Sequence, residues 1–138
     1  MTKVILENAT DRVKAEEGLI PLDRVRHVEF EALVDTGATM MVLPADVVAA
    51  LGLTVQAYRP ARLADGSLCD VGRVKGLWIE ILGRDMTGDA LVVPAGAQPL
   101  IGQVQLEVLD LIVDAKSREA RVNPASPDVP ILDMLGVA

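Results

Sequence analysis

One stretch of the sequence constrains the fold more than any other, the segment from Ala32 to Pro44. An apolar run ending at Val34 leads into Asp35, and a second apolar run follows a small hydroxyl and a glycine. A carboxylate between two buried strands costs free energy unless it is hydrogen-bonded or shares a proton. Proteins that keep such a group usually use it, so Asp35 is the first candidate for a functional residue.

The composition favours a β-sheet protein with an aliphatic core. Hydrophobic residues make up 51% of the 138 residues but aromatic residues only 2%, so Val, Leu, Ile, Ala and Met must fill the interior. Many of these side chains are β-branched, which favours strands. The 11 glycines and 8 prolines predict short strands separated by turns. At this length we expect a single domain over residues 1–138.

Charge and cysteine content narrow the possible partners. A net charge of −7 argues against a nucleic-acid partner and disfavours an anionic membrane surface. The one cysteine, Cys69, leaves no internal disulfide and fits a reducing compartment. The only histidine, His27, has no second ligand at metal-binding spacing, so no metal is expected. Without an apolar signal sequence or membrane-spanning run, the expected location is cytoplasmic.

Turn and cap residues place helices among these strands. Pro44 to Gly52 predicts a short helix, with proline in the first turn, Asp46 near the positive end and glycine at the C-terminus. Gln103 to Leu109 predicts another. The charged stretch Asn8 to Glu17 is expected to be a turn and a solvated strand or loop, and Gly88-Asp89 a turn. The expected architecture is therefore all-β with one or two short helices.

A second notable pattern is a hairpin in the middle of the chain. Two strand-like runs, Leu53–Leu63 and Leu68–Ile81, flank an Asp-Gly turn, and Pro60 restricts the first run to a sheet edge. The turn residues are Ala64, Asp65, Gly66 and Ser67. A polar, glycine-containing tip suits a mobile loop that closes over a site, and it also suits an ordinary surface hairpin.

Two elements resemble the signature of single-domain, retropepsin-like aspartic proteases. The first is the Asp-Thr-Gly-Ala sequence Asp35–Ala38 after an apolar triplet, and the second is Leu100-Ile101-Gly102 far downstream. The resemblance covers about residues 28–122. It implies a closed β-barrel equivalent to half of a two-lobed acid protease, an activity that hydrolyses peptide bonds, and no metal or organic cofactor.

The resemblance also implies roles for individual residues. Asp35 would be the catalytic carboxylate, Thr36 would bond across a two-fold axis, and Gly37 and Ala38 would complete the loop. The hairpin tip, residues 64–67, would be a flap that binds the substrate backbone. The loop would be supported from beneath by Leu100, Ile101 and Gly102.

The chemistry then requires a second copy of the chain. Hydrolysis by this route needs two carboxylates about 3 Å apart that share a proton. The chain has one Asp-Thr-Gly, so the enzyme would be a symmetric homodimer acting on a protein or peptide, with Asp35 from each subunit. Viral members of this family usually carry an Arg directly after the glycine that corresponds to Gly102, and this Arg pairs with an Asp two residues past the first glycine. In this chain Gln103 and Thr39 occupy those two positions. A neutral pair therefore replaces a charged pair that stabilises the dimer.

Two other hypotheses stay open on the sequence alone. In one, a catalytically silent retropepsin-like domain dimerises and binds peptides by strand addition across the flap groove. In the other, the protein is a small β-barrel in which Asp35-Thr36-Gly37 is a structural turn whose Asp caps its own backbone.

Overall fold

The computed structural model describes residues 1–132. Within that range the chain forms nine strands, three α-helices and a short 3-10 helix at Leu22–Arg24. The strands are β1 (Thr2–Asn8), β2 (His27–Val34), β3 (Met41–Pro44), β4 (Gln56–Arg62), β5 (Leu68–Ile81), β6 (Arg84–Val93), β7 (Leu100–Ile101), β8 (Leu111–Val113) and β9 (Ala120–Val122). The helices are α1 (Ala9–Glu16), α2 (Ala45–Ala50) and α3 (Gln103–Val108).

Seven of the strands form one sheet that closes on itself. The order is β1-β2-β7-β3-β6-β5-β4, and β1 also pairs with β5, which completes a ring and leaves β4 outside it. The edge position of β4 agrees with Pro60 in that strand. The strands β8 and β9 form a separate hairpin. The expected all-β, closed-barrel fold is confirmed.

The interior of the ring is aliphatic. Alternate residues of the strands point inward, as the period of two requires. The largest fully buried side chains of the ring strands are Leu6, Met41, Leu43, Leu77, Ile79, Ile81 and Ile101. Burial of each contributes about 1.5–3 kcal/mol before the cost of ordering the chain. Trp78 is buried at the edge of this core, with the Arg12 guanidinium 3.8 Å from its ring centroid.

Both helices expected from cap residues are present. Helix α2 follows Pro44 and ends before Gly52, whose φ of +67° suits glycine. Helix α3 begins after Gly102, and the buried Gln105 side chain accepts a hydrogen bond from the Gly102 N–H at 3.1 Å. This contact satisfies one of the free N–H groups at the start of α3.

The loop predicted at Asn8 to Glu17 is wrong, because this stretch contains helix α1. The Asn8 side chain caps it by accepting a hydrogen bond from Asp11 N at 3.1 Å. The Asp11 carboxylate then binds the Arg26 guanidinium through Nε at 2.8 Å and Nη2 at 3.0 Å. These hydrogen bonds hold the pKa of Asp11 below its ordinary value. Contacts with the rest of the fold stabilise a helix that has few apolar residues of its own.

The turn predicted at Gly88-Asp89 is also wrong, since both residues lie inside β6. Gly88 pairs with Leu77 of β5, beside an irregularity in β5 between Val74 and Leu77. Gly76, within that irregularity, has a φ of +82°. The irregularity therefore lies in β5, and β6 continues as one strand alongside it.

Candidate active site

The Asp35 loop is attached to β7 on one side. Leu33 and Val34 of β2 pair in parallel with Leu100 and Ile101 of β7. The Asp35 N–H then donates to the Ile101 carbonyl at 3.0 Å. The structure thus places the Asp-Thr-Gly element beside the Leu-Ile-Gly element, although their nearest members, Gly37 and Leu100, are 63 positions apart along the chain.

Within the loop, the backbone orients the Asp35 carboxylate. Its Oδ1 accepts a hydrogen bond from the Gly37 N–H at 2.9 Å, and its carbonyl accepts one from the Ala38 N–H at 3.1 Å. Asp35 is half-buried, whereas Thr36 and Gly37 are exposed. The loop is therefore fixed in shape and lies at the surface of the subunit.

The start of α3 supports the loop from beneath. Gln103 N donates to the Ala38 carbonyl at 2.7 Å, and Val104 N donates to the Thr39 carbonyl at 3.0 Å. A Cβ on Gly102 would lie 2.5 Å from the Met40 carbonyl oxygen, so only glycine allows this approach. Position 102 is thus where the loop and α3 come closest.

The Gln103 side chain does not pair with Thr39 inside the subunit. Its Nε2 donates to Glu107 Oε1 at 3.2 Å, one turn further along α3. Thr39 contributes its backbone carbonyl to α3, as described above. The neutral residues at these two positions therefore act through separate contacts.

The predicted flap residues form the tip of the β4–β5 hairpin, and all four are exposed. Leu63 N donates to the Ser67 carbonyl at 2.8 Å, and Gly66 takes a φ of +84°. Asp65 Oδ1 accepts hydrogen bonds from Ser67 Oγ at 2.6 Å and from Ser67 N at 2.9 Å. These two donors, the hydroxyl first, lower the pKa of Asp65.

A groove connects the hairpin with the Asp35 loop. It encloses about 220 Å³ and lies between Met40, at the end of the loop, and the strands β4, β5 and β6. The residues that line it are Met40, Ala57, Arg59, Val71, Gly72, Arg73 and Leu91. The end of the loop at Met40 and the body of the hairpin therefore border one groove, and neither Asp35 nor the tip residues 64–67 line it.

A larger cavity of about 690 Å³ opens on the other side of the loop, at Thr36. Its remaining walls come from α3, from β8 and from the C-terminal segment at Ile131 and Leu132. Those two apolar side chains are 57% and 55% exposed. The apolar stretch of residues 131–135 predicts a chain end that packs on the core or on a second subunit, and residues 133–138 lie outside the described range.

A polar cluster holds the C-terminal segment against this cavity, and sequence reasoning missed it. The Asp110 carboxylate accepts hydrogen bonds from the Ser126 hydroxyl, from Asn123 Nδ2 at 2.9 Å and from Ile131 N at 3.0 Å. Together they lower the pKa of Asp110 to about 2. The buried Arg84 donates to the Asp110 carbonyl at 3.0 Å. No local motif marks these residues, since the contacts join distant parts of the chain.

The histidine and the cysteine considered in the sequence analysis both lie outside the Asp35 loop. His27 is exposed, with Nδ1 3.2 Å from the Val25 carbonyl. Cys69 is a free, half-buried thiol. Among residues 1–132 there is no group of three or more side chains suited to bind a metal ion. None of the helices in this range is both long and apolar enough to cross a bilayer.

A closed sheet of this topology with an Asp-Thr-Gly loop beside a Leu-Ile-Gly strand defines a retropepsin-like aspartic protease fold. Comparison with known proteins agrees, because residues 24–104 match the family described as "Aspartyl protease", and this is more than half of the chain. The chain belongs to the aspartyl protease family.

Solved structures give the same fold. The chain is similar to EIAV protease complexed with the inhibitor HBY-793, with a TM-score of 0.51 and 18% identity. The match covers 80% of this chain and 88% of that protease. No curated protein matches the sequence.

Proposed function

We propose that the chain is a homodimeric aspartic endopeptidase that hydrolyses protein or peptide substrates. The observation that carries the proposal is the Asp35 loop, which is fixed by backbone hydrogen bonds to β7 and α3 yet lies at the surface. One subunit offers one such carboxylate. A second copy, related by a two-fold axis through the loops, supplies the other.

In this mechanism a water molecule is activated between the two Asp35 carboxylates, which share one proton. One carboxylate takes a proton from the water as it attacks, and the other donates its proton to the substrate carbonyl. The roles reverse when the tetrahedral intermediate collapses. The Gly37 N–H holds each carboxylate in place, and no metal or organic cofactor takes part.

The face around Thr36 suits the second copy. Thr36 is exposed at the rim of the larger cavity, together with Ile131 and Leu132. Ile112 on β8, which also lines that cavity, is 42% exposed. Exposed apolar side chains that cluster on one face mark interaction sites. In the dimer, Thr36 of each subunit bonds to the partner's loop and keeps the two carboxylates coplanar.

The β4–β5 hairpin provides the edge strand to which a substrate peptide would bind. The strand β4 is a sheet edge that lines the groove through Ala57 and Arg59, and the hairpin tip at Ala64–Ser67 is exposed. An extended peptide adds to such an edge through backbone hydrogen bonds. We further propose that residues 1–138 form a single domain acting in the cytoplasm, with no nucleic-acid partner because the net charge is −7.

A subunit-mixing experiment tests the proposal. Wild-type protein and Asp35→Asn protein are mixed in equal amounts, allowed to exchange subunits and assayed on a peptide library from pH 3 to 7. If each site needs both Asp35 residues, only wild-type pairs cleave, and the rate falls to about a quarter of that of wild type at the same total concentration.

The other outcomes identify the rival hypotheses. A rate of about one half would mean that each subunit has its own site. Peptide binding without cleavage by wild-type dimer at any pH would support the catalytically silent domain. A monomer by sedimentation at micromolar concentration, without cleavage, would support a barrel with a structural turn at Asp35.

A further inference from the structure

The β4–β5 hairpin differs in charge from the rest of the molecule. Residues 56–75 contain four basic and two acidic side chains, a net charge of +2, whereas the whole chain carries −7. These residues are Arg59, Arg62, Arg73 and Lys75 on one hand, and Asp65 and Asp70 on the other. The element that borders the cleft is therefore positive in an otherwise acidic protein.

One face of this hairpin forms the wall of the 220 Å³ groove. Ala57, Arg59 and Val71 all line the groove, and Arg59 pairs with Val71 in the register of the two strands. Gly72 also lines the groove, and a Cβ there would lie 2.3 Å from Val55 Cγ1. The groove wall thus combines apolar side chains with arginine.

The two arginines of the groove are not equivalent. Arg73 is paired with Asp89, and its Nε lies 3.1 Å from Asp89 Oδ2. Arg59 is exposed and makes neither an ion pair nor a side-chain hydrogen bond within residues 1–132. Asp70 pairs with Pro60 in the register, so it belongs to the opposite face of the hairpin. A positive charge without a partner remains beside an apolar groove.

We infer that this groove selects an acidic side chain of the substrate, glutamate in particular, whose carboxylate pairs with Arg59. Its methylene groups would contact Met40, Val71 and Leu91, which line the same groove. A guanidinium matches a carboxylate through two parallel hydrogen bonds, so Arg59 favours this partner over a neutral amide. The inference rests on the proposed function and adds the class of substrate.

The test compares peptides that are identical except for Glu or Gln at one position, scanned over four residues on each side of the cleaved bond. At the position that occupies the groove, wild type should cleave the Glu peptide about 3- to 10-fold faster in kcat/KM. Arg59→Gln should reduce that ratio to about one, and Arg59→Glu should favour Lys there. Arg24→Gln, the same change at an exposed 3-10 helix position away from the groove, should keep the wild-type ratio.

The ratio should also respond to pH and salt. It should fall as pH drops through about 4.3, because the substrate glutamate then becomes neutral while arginine stays charged. Added salt should reduce it as well. Equal cleavage of Glu and Gln peptides at every position would overturn the inference and leave the proposed function intact.

If no peptide is cleaved at all, the proposed function fails, and binding then decides the inference separately. Fluorescent Glu and Gln peptides can be titrated against wild-type and Arg59→Gln protein. Tighter binding of the Glu peptide that disappears in Arg59→Gln supports the role of Arg59. Equal binding contradicts it.

Discussion

Two turns in this protein use the same local chemistry in different surroundings. Asp35 Oδ1 accepts a hydrogen bond from the backbone N–H two residues on, at 2.9 Å, and Asp65 Oδ1 does the same, also at 2.9 Å. Each sequence combines Asp with Gly and a hydroxyl residue, Asp-Thr-Gly in one and Asp-Gly-Ser in the other. In isolation the two segments would look alike.

The two turns differ in the tertiary contacts that surround them. The Asp35 loop receives hydrogen bonds from α3 at Ala38 and Thr39, and its Asp35 N–H binds β7. The hairpin tip around Asp65 is exposed throughout and is held only by contacts within the hairpin. A local Asp turn therefore does not define a catalytic loop. Tertiary contacts with β7 and α3 fix the Asp35 turn, whereas the Asp65 turn is held within its own hairpin.

The largest expected effect comes from removing each carboxylate in turn. Asp35→Asn should lower kcat/KM by about 10³-fold or more, because an amide cannot exchange the proton that the mechanism needs. Asp65→Asn should change it by no more than about threefold, since the tip keeps its shape through backbone contacts. Peptide cleavage by purified dimers measures both. Substantial cleavage by Asp35→Asn, with its fold confirmed by circular dichroism, would refute the assignment of Asp35.

The next effect concerns the glycine beneath the loop. Gly102→Ala places a Cβ 2.5 Å from the Met40 carbonyl and 2.9 Å from the Ala38 carbonyl, and both contacts are with backbone. The loop or α3 must move, so unfolding free energy should fall by about 2–4 kcal/mol. Urea denaturation measures it. An unchanged midpoint would mean that the loop and α3 do not approach as closely as described.

The matching substitution at the hairpin tip, Gly66→Ala, should reduce the unfolding free energy by less than Gly102→Ala does. Gly66→Ala meets no atom within 4 Å, but its φ of +84° strains any residue with a Cβ. We expect a loss of about 1–2 kcal/mol at most, with hydrolysis affected only through tip mobility. The same urea experiment checks it. A loss of unfolding free energy as large as that of Gly102→Ala would contradict the distinction between a loop fixed by tertiary contacts and a tip held only within its hairpin.

The sequence was sufficient to predict features that depend on local pattern. The Asp-Gly hairpin, the helices after Pro44 and after Gly102, and the closed β fold are all confirmed. The hairpin and the two helices follow from turn and cap residues within a short stretch, whereas the closure of the sheet into a barrel followed from the family resemblance. The adjacency of the Asp35 and Gly102 elements followed only from the family resemblance, since they are distant in sequence.

Features that depend on distant partners could not be predicted. Helix α1 looked like a loop because its stabilising contacts, Asp11 with Arg26 and Arg12 with Trp78, come from other elements. The local signals of a helix were the N-terminal cap at Asn8, Asp11 in the first turn and Lys14 in the last turn. The role of Asp110 in holding residues 123–131, like the unpaired charge of Arg59, depends on which side chains the fold brings together.

The smallest expected effect is on the titration of Asp65. Ser67→Ala removes the hydroxyl donor, the largest of the causes that lower the pKa of Asp65, so that pKa should move up toward 3.8. Carboxyl-carbon NMR during a pH titration measures the shift. The lowered pKa contributes stability that is fully present above about 3.8, the ordinary value of the carboxyl, and is lost as pH falls through the lowered pKa of the folded protein. The variant should therefore narrow the difference in stability between neutral and acid pH.

Ser117→Ala provides the matched control for that titration. Ser117 lowers the pKa of Asp114 through its backbone N–H, at 3.1 Å from Oδ1, and alanine keeps that donor. The pKa of Asp114 should therefore stay lowered. If Ser67→Ala leaves Asp65 equally unchanged, the hydroxyl does not bind the carboxylate in solution. The Asp65 carboxylate would then be held, like the Asp35 carboxylate, by a single backbone N–H, and the two turns would differ only in what surrounds them.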